Sequence, residues 1–121
     1  MLFRKLTMAG LILVPNVVSS DAFAESLRQF SGVAAYYSTN YSGRTARGDR
    51  YDPTKLTAAH RSLPFGTRLR VTDPTSQRSV VVVVNDRGPF TKGRVLDLSL
   101  AAAKALRMMD RGLVKVTAVI E

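Results

Sequence analysis

The chain contains no cysteine, which removes disulfides, thiolate metal centres, nucleophilic thiols and lipid attachment through a cysteine. Its single histidine, His60, excludes a multi-histidine zinc site. Acids are scarce, 9 Asp and Glu against 18 Lys and Arg, so the surface attracts anions. No apolar run approaches the roughly 20 residues of a membrane-crossing helix; Leu6 to Val14 is short and ends at Pro15-Asn16. With thiol and multi-histidine chemistry excluded, carboxylates remain as the means of catalysis.

What is present begins with a three-part leader: Arg4 and Lys5, the apolar run, then the small-residue site Ala22-Phe23-Ala24. This is the layout of a secretory signal peptide, residues 1–24, with cleavage expected after Ala24. An N-terminal amphipathic tail or an uncleaved anchor is the alternative. Residues 25–121 are then one domain, since 97 residues cannot hold two cores. Without disulfides, packing and backbone hydrogen bonds must hold it, a need that a closed barrel suits. This domain carries 16 Lys and Arg against 8 Asp and Glu, a formal charge of +8. The basic residues spread from Arg28 to Lys115 and the leader directs export, so nucleic acid is not expected as partner. A stable membrane anchor is not expected either, and a secreted or periplasmic, unlipidated protein is.

Gly32 to Ser38 reads as a short strand and Asn40 to Pro53 as a long loop with too few apolar residues for a buried face. Ordered loops of that length are usually functional. Leu56 to Leu63 is open between a helical turn and an irregular crossing. Thr67 to Thr72 alternates as a half-buried strand, and Asp73-Pro74-Thr75-Ser76 makes a turn. Five valines, Val80 to Val84, predict a strand covered on both faces, with Asn85 and Asp86 at its end. Arg94 to Leu98 is another strand, Ser99 caps a helix running to Leu106, and Leu113 to Ile120 closes the set. Several short strands and one short helix predict an all-β fold, a small barrel.

Asp86 sits where an apolar strand meets the stiff run Arg87-Gly88-Pro89-Phe90, and apolar surroundings can raise a carboxyl pKa and suit it to general acid catalysis. The same composition also describes an ordinary turn. His60 is a candidate catalyst, although a lone histidine is more often a hydrogen-bonded structural residue. Asp49 follows Gly48, which can turn a side chain toward a cleft, though loop acids are commonly only solvated. Asp97 reads as structural, holding backbone amides at the helix start. Tyr36, Tyr37, Tyr41 and Tyr51 gather near the long loop; tyrosines beside arginines suit sugar faces and also suit covering a small core.

Five segments share an order and spacing: Gly43-Arg44-Thr45-Ala46-Arg47-Gly48-Asp49, Leu56-Thr57-Ala58-Ala59-His60, Leu63-Pro64-Phe65-Gly66-Thr67, Asn85-Asp86-Arg87-Gly88-Pro89-Phe90 and Arg94-Val95-Leu96-Asp97-Leu98-Ser99. Together they resemble the rare lipoprotein A family across almost all of residues 31–120. The resemblance implies a six-stranded double-psi β-barrel with one short helix, shared with expansins and a family of cellulases, whose open groove binds a polysaccharide. It implies cleavage between N-acetylmuramic acid and N-acetylglucosamine with a 1,6-anhydro product, preferably in peptide-stripped strands. On matching positions, Asp86 resembles the catalytic acid, His60 the histidine beside it and Asp49 a groove position usually held by glutamate. Tyr37, Arg44, Arg87 and Phe90 are the candidates for substrate binding. The expected partner is the peptidoglycan glycan strand, and no metal or cofactor is implied.

The sequence also departs from the family. Asp49 is one methylene shorter than glutamate, Tyr36 replaces a usual tryptophan and Arg47 a frequent asparagine. Arg107 stands where glycine is common and is expected to resist a left-handed turn. With Glu121 as the last residue, a C-terminal glycan-binding repeat domain is not expected. Three rivals stay open: hydrolysis by Asp86 and Asp49 as a carboxylate pair, a glycan-binding module without catalysis, and an inhibitor on the same barrel.

Overall fold

The computed structural model describes residues 19–121, so Arg4, Lys5 and the apolar run of the leader lie outside the described residues. Six strands, β1 (Gln29–Tyr36), β2 (Thr57–Ala59), β3 (Arg68–Asp73), β4 (Arg78–Asp86), β5 (Arg94–Leu98) and β6 (Val114–Ile120), close into a barrel in the order β1-β5-β2-β4-β3-β6. β1 runs parallel to β5 and β2 to β4, while every other neighbouring pair is antiparallel. This is the all-β, six-stranded double-psi barrel that the sequence implies. Closure leaves no free sheet edge, and the alternating inward residues supply one core.

That core is made by Leu69 and Val71 of β3, Val80, Val82 and Val84 of β4, Leu96 and Leu98 of β5, and Val116 and Ala118 of β6. Helix α2 (Leu100–Ala105) closes over it with Ala102 and Ala103, followed by Leu106 and Met108. The Ser99 hydroxyl accepts from the Ala102 amide at 3.2 Å and caps α2 as expected.

Several expectations are corrected. The valine run is not covered on both faces: Val80, Val82 and Val84 are buried, but Val81 and Val83 are half-exposed. Their cross-strand partners are Arg70 and Arg68, whose aliphatic stems share that outer face. Period two therefore persists beneath an unbroken apolar run.

Asp97 does not hold the helix-start amides. Ser99 does, and the Asp97 carboxylate pairs with Arg94 instead. Arg107 does not resist the left-handed turn, for it adopts φ of 52°. Two hydrogen bonds hold it there, Arg107 N–H to Lys104 O and Met108 N–H to Ala103 O, both 3.0 Å, with Met108 buried beyond. This is a complete Schellman motif.

The described residues contain two helices rather than one. Helix α1 (Ser20–Leu27) spans the expected cleavage point, and the Ser19 hydroxyl accepts from the Ala22 amide at its start. The segment 57–59, open between helix and crossing in the sequence, is a three-residue strand between β5 and β4.

Candidate active site

The parallel pairing of β2 with β4 matches Ala58 to Val84 but Ala59 to Asp86, which leaves Asn85 as an extra residue in β4. Such a β-bulge re-aims the side chains beyond it. Without it Asp86 would share the inward register of Val84, in the core. With it the carboxyl is half-buried and meets donors from three segments.

Its Oδ1 accepts from the Ala46 amide at 2.7 Å and the Arg87 amide at 2.8 Å, and its Oδ2 accepts from the Tyr37 hydroxyl at 2.5 Å. The Ala46 amide arrives because loop 44–50 folds on itself, with Arg44 bridged to Arg50 and the Thr45 amide donating to Asp49 O at 2.7 Å. The Arg47 amide then donates to Asn85 O at 3.3 Å and docks that loop on the bulge. Beyond Asp86 the chain turns at Gly88, whose φ of 116° few other residues adopt.

Tyr37 follows the last residue of β1. Burial, and then its bond to the Asp86 carboxyl, push its phenol far above the ordinary 10, so it keeps its proton and donates it as a hydrogen bond. Its ring stacks on Tyr51, centroids 4.4 Å apart and planes 10° apart, and Tyr41 leans on it at 5.3 Å. Tyr51 is itself buried, its phenol pushed up by that burial, and its oxygen accepts from the Leu100 amide at 3.1 Å. A tyrosine stack anchored on α2 thus fixes the hydroxyl that holds Asp86. The sequence offered these tyrosines as sugar platforms or as core; the structure makes Tyr37 a holder of the carboxyl.

His60 is tied to Asp86 through the backbone, its amide donating to Asp86 O at 3.1 Å. The imidazole Nδ1 accepts from the Ser62 and Leu63 amides at 3.1 and 3.0 Å, and the ring leans on Phe30 at 5.2 Å. Burial lowers its pKa below 6.5, and the Arg87 and Arg61 guanidiniums lower it further. The ring is therefore neutral near pH 7, with its proton on Nε2.

The remaining candidates divide. Asp49 lies on the exposed side of its loop, its carboxylate 3.9 Å from the Arg47 guanidinium, in the wall of a 320 Å³ cavity shared with Arg50, Asp52, Lys55, Thr57 and Asn85. Arg44 donates to Gly48 O within the same loop. Arg87 donates to the carbonyls of His60 and Leu63, at 3.2 and 2.8 Å, and lies over the Phe65 ring at 4.0 Å, so its charge holds segment 60–65 in place. Phe90 is 79% exposed just after that turn. Tyr36 points the other way from Tyr37: its hydroxyl donates to Met109 O at 2.5 Å and its ring packs on the core. No hydrogen bond among the described residues joins the side chains of Asp86, His60 and Asp49.

Sequence reasoning missed the Ala46 amide and Arg61. Arg61 donates to Pro89 O, Thr91 O and Arg94 O, at 2.6, 3.0 and 3.3 Å, and so holds the segment that carries Phe90. Arg61 and Arg87 thereby clamp each other's segments from opposite sides. A carboxyl gripped on one oxygen by two amides, with the other oxygen facing a phenol, can give and take a proton at a fixed place. Among the described residues, no three acidic or histidine side chains gather as a metal site, and no helix is long and apolar enough to cross a membrane.

Comparison with known proteins adds to this geometry. The family described as Lytic transglycolase matches residues 29–118. A probable endolytic peptidoglycan transglycosylase RlpA of Nostoc sp. is 55% identical over 97 residues, covering 77% of this chain and 26% of that protein. Its counterpart in Synechocystis sp. is 50% identical over 100 residues, 82% of this chain and 31% of that protein. The endolytic peptidoglycan transglycosylase RlpA of Pseudomonas aeruginosa is 48% identical over 86 residues, 70% of this chain and 25% of its own. The chain thus spans about a quarter to a third of the length of these relatives. Among solved structures, the Streptomyces papain inhibitor superposes with a TM-score of 0.63 at 25% identity, over 76% of this chain and 93% of that one. A Clavibacter michiganensis expansin in complex with cellohexaose gives 0.62 at 25% identity, over 77% of this chain and 50% of its own.

Proposed function

This chain belongs to the lytic transglycolase family, and from that premise we propose that it cleaves peptidoglycan glycan strands between N-acetylmuramic acid and N-acetylglucosamine, closing a 1,6-anhydro ring. One observation carries the catalytic part of this reading: the Asp86 carboxyl is re-aimed out of the core by the β4 bulge and gripped by Ala46, Arg87 and Tyr37.

In the protonated form, Asp86 gives its proton to the glycosidic oxygen as the C1–O bond breaks, and the leaving sugar departs with a hydroxyl. Positive charge develops at C1. The resulting carboxylate then removes the proton of the same sugar's 6-hydroxyl, whose oxygen bonds to C1 and completes the anhydro ring. One carboxyl serves both steps, water is neither consumed nor released, and Asp86 ends protonated as it began. The two amides on Oδ1 keep that oxygen in place as an acceptor, which leaves Oδ2 to carry the proton. Tyr37 positions it. Asp49, Arg44 and Phe90 border the substrate from exposed positions around the long loop and the Gly88 turn.

The leader in residues 1–24 and the absence of cysteine support export without lipidation, and the +8 charge of residues 25–121 supports retention on the anionic wall. The test is incubation with peptide-stripped sacculi and mass spectrometry of the released sugars. Products one water lighter than the hydrolysed sugars are expected; only hydrated products would establish a hydrolase, and none would remove the activity.

The likeness to an expansin solved with cellohexaose favours a second reading, a glycan-binding module without catalysis. That protein would sediment with sacculi, detach as salt rises and release no sugar.

A further inference from the structure

A cavity of 230 Å³ is lined by Phe30, His60, Arg61, Ser62, Arg94 and Val95, and it reaches Asp86 only through the His60 backbone, whose amide donates to Asp86 O. Asp86 is not in its wall. Pockets that enclose a whole small ligand run from roughly 300 to 1,000 Å³, so this one suits a substituent rather than a sugar ring. Three features describe what that substituent must be.

The first is a donor. With Nδ1 accepting two backbone amides, the imidazole proton is on Nε2, which makes no hydrogen bond among the described residues and is not buried. Arg94 also lines the cavity, but its unpartnered Nε is buried and does not reach the opening.

The second is an apolar wall. Phe30 stands against the imidazole, and Val95 is an extra residue in β5, where Val33 pairs with Arg94 but Ala34 with Leu96. That bulge presses Val95 on Gly32, where an added Cβ would come within 2.5 Å of it.

The third is charge already neutralised. The Arg61 guanidinium is held by three carbonyls and Arg94 is paired with Asp97, so an incoming carboxylate finds no free cation. An acceptor oxygen next to a methyl group, without charge, is what the cavity matches. The acetamido group of an amino sugar has that form.

We propose that this cavity is an acetamido subsite, in which His60 Nε2–H donates to the acetamido oxygen and the methyl packs on Phe30 and Val95. The proposal rests on the reading that the substrate is an N-acetylated glycan. It makes His60 a specificity residue that carries no catalytic proton. Of the charged groups around the ring, Arg87 beyond β4 and Arg61 on its own segment oppose its protonation, while Arg94 on β5 is paired with Asp97. A donor role through a neutral ring therefore persists across the neutral range.

The test follows backbone and imidazole NMR signals of the full chain while titrating two uncharged trisaccharides, the N-acetylglucosamine trimer and cellotriose. Signals of Phe30, His60 and Val95 are expected to move with the first sugar and not with the second. The imidazole nitrogens are expected to report the Nε2–H form, and His60→Asn to weaken the N-acetylated trimer by about three- to ten-fold, the loss of one hydrogen bond. Equal effects of both sugars, or no effect of either, would each overturn the proposal. Because these signals need no turnover, an absence of sugar products from sacculi would strike the enzymatic reading and leave this result standing.

Discussion

Replacing Tyr37 with phenylalanine separates two roles that its sequence position allows. The change removes the hydroxyl that donates to Asp86 Oδ2 at 2.5 Å and leaves the two amides on Oδ1. The ring still stacks on Tyr51 at 4.4 Å, so the support of the loop survives. A hydrogen bond to a charged partner contributes about 1.5–3 kcal/mol, and the half-buried setting places this one at the lower end. About 1.4 kcal/mol is a factor of ten in rate, so kcat on peptide-stripped strands should fall about ten-fold with KM unchanged. Steady-state kinetics with a dye-labelled substrate, beside a thermal melt showing the same fold, makes the measurement. A raised KM with intact kcat would refute the positioning argument and return Tyr37 to the role of a sugar platform. Tyr41→Phe, which loses only a bond to Arg44 O on the exposed loop, should leave kcat as it was.

Other consequences are open to stability measurements. Leu96 is fully buried at the centre of the barrel, and Leu96→Ala should cost about 2–5 kcal/mol in denaturant unfolding. Arg107→Gly should stabilise by about 0.5–1 kcal/mol, the left-handed strain relieved less the entropy glycine loses, and a lowered melting temperature would contradict the Schellman argument. Burial works to raise the pKa of Asp73, but its bonds from Arg111 and the Thr75 and Ser76 amides outweigh burial and hold it below 3.8. Its stabilising effect is therefore full above the unfolded value and lost as pH falls through the lowered one. Urea titrations below pH 4 should show that loss in the parent, and a shallower one in Arg111→Gln.

Much of the barrel is legible in the residues, because strand alternation and turn chemistry are local. Arg94–Leu98 and the Ser99 cap follow from period and capping alone, and the ends of β1, β3, β4 and β6 differ from their sequence bounds by a few residues, while the three-residue β2 carries no period to read. What escapes local reading is register. The bulge at Asn85 decides which way Asp86 faces, and it exists only through pairing with a strand more than twenty residues earlier. The same holds for Tyr37, whose pairing with Asp86 spans 49 positions, and for the Ala46 amide, a donor that every residue but proline carries. Arg87 looks like a substrate-facing cation in sequence; only the fold shows its guanidinium held by the carbonyls of His60 and Leu63. Asp97 differs from its sequence reading for a local reason: it lies on β5 with Arg94, which takes its carboxylate, and the helix-start amide is left to Ser99.

The central claim is that a single carboxyl breaks the glycosidic bond and closes the anhydro ring. Asp86→Asn tests it most directly, since the amide oxygen still accepts from Ala46 and Arg87 and the fold is kept, while the proton carrier is gone. Mass spectrometry of peptide-stripped sacculi should find anhydro-sugars with the parent protein and none with the variant, both giving the same melting curve. Anhydro-sugars released by the variant at the parental rate would contradict the account.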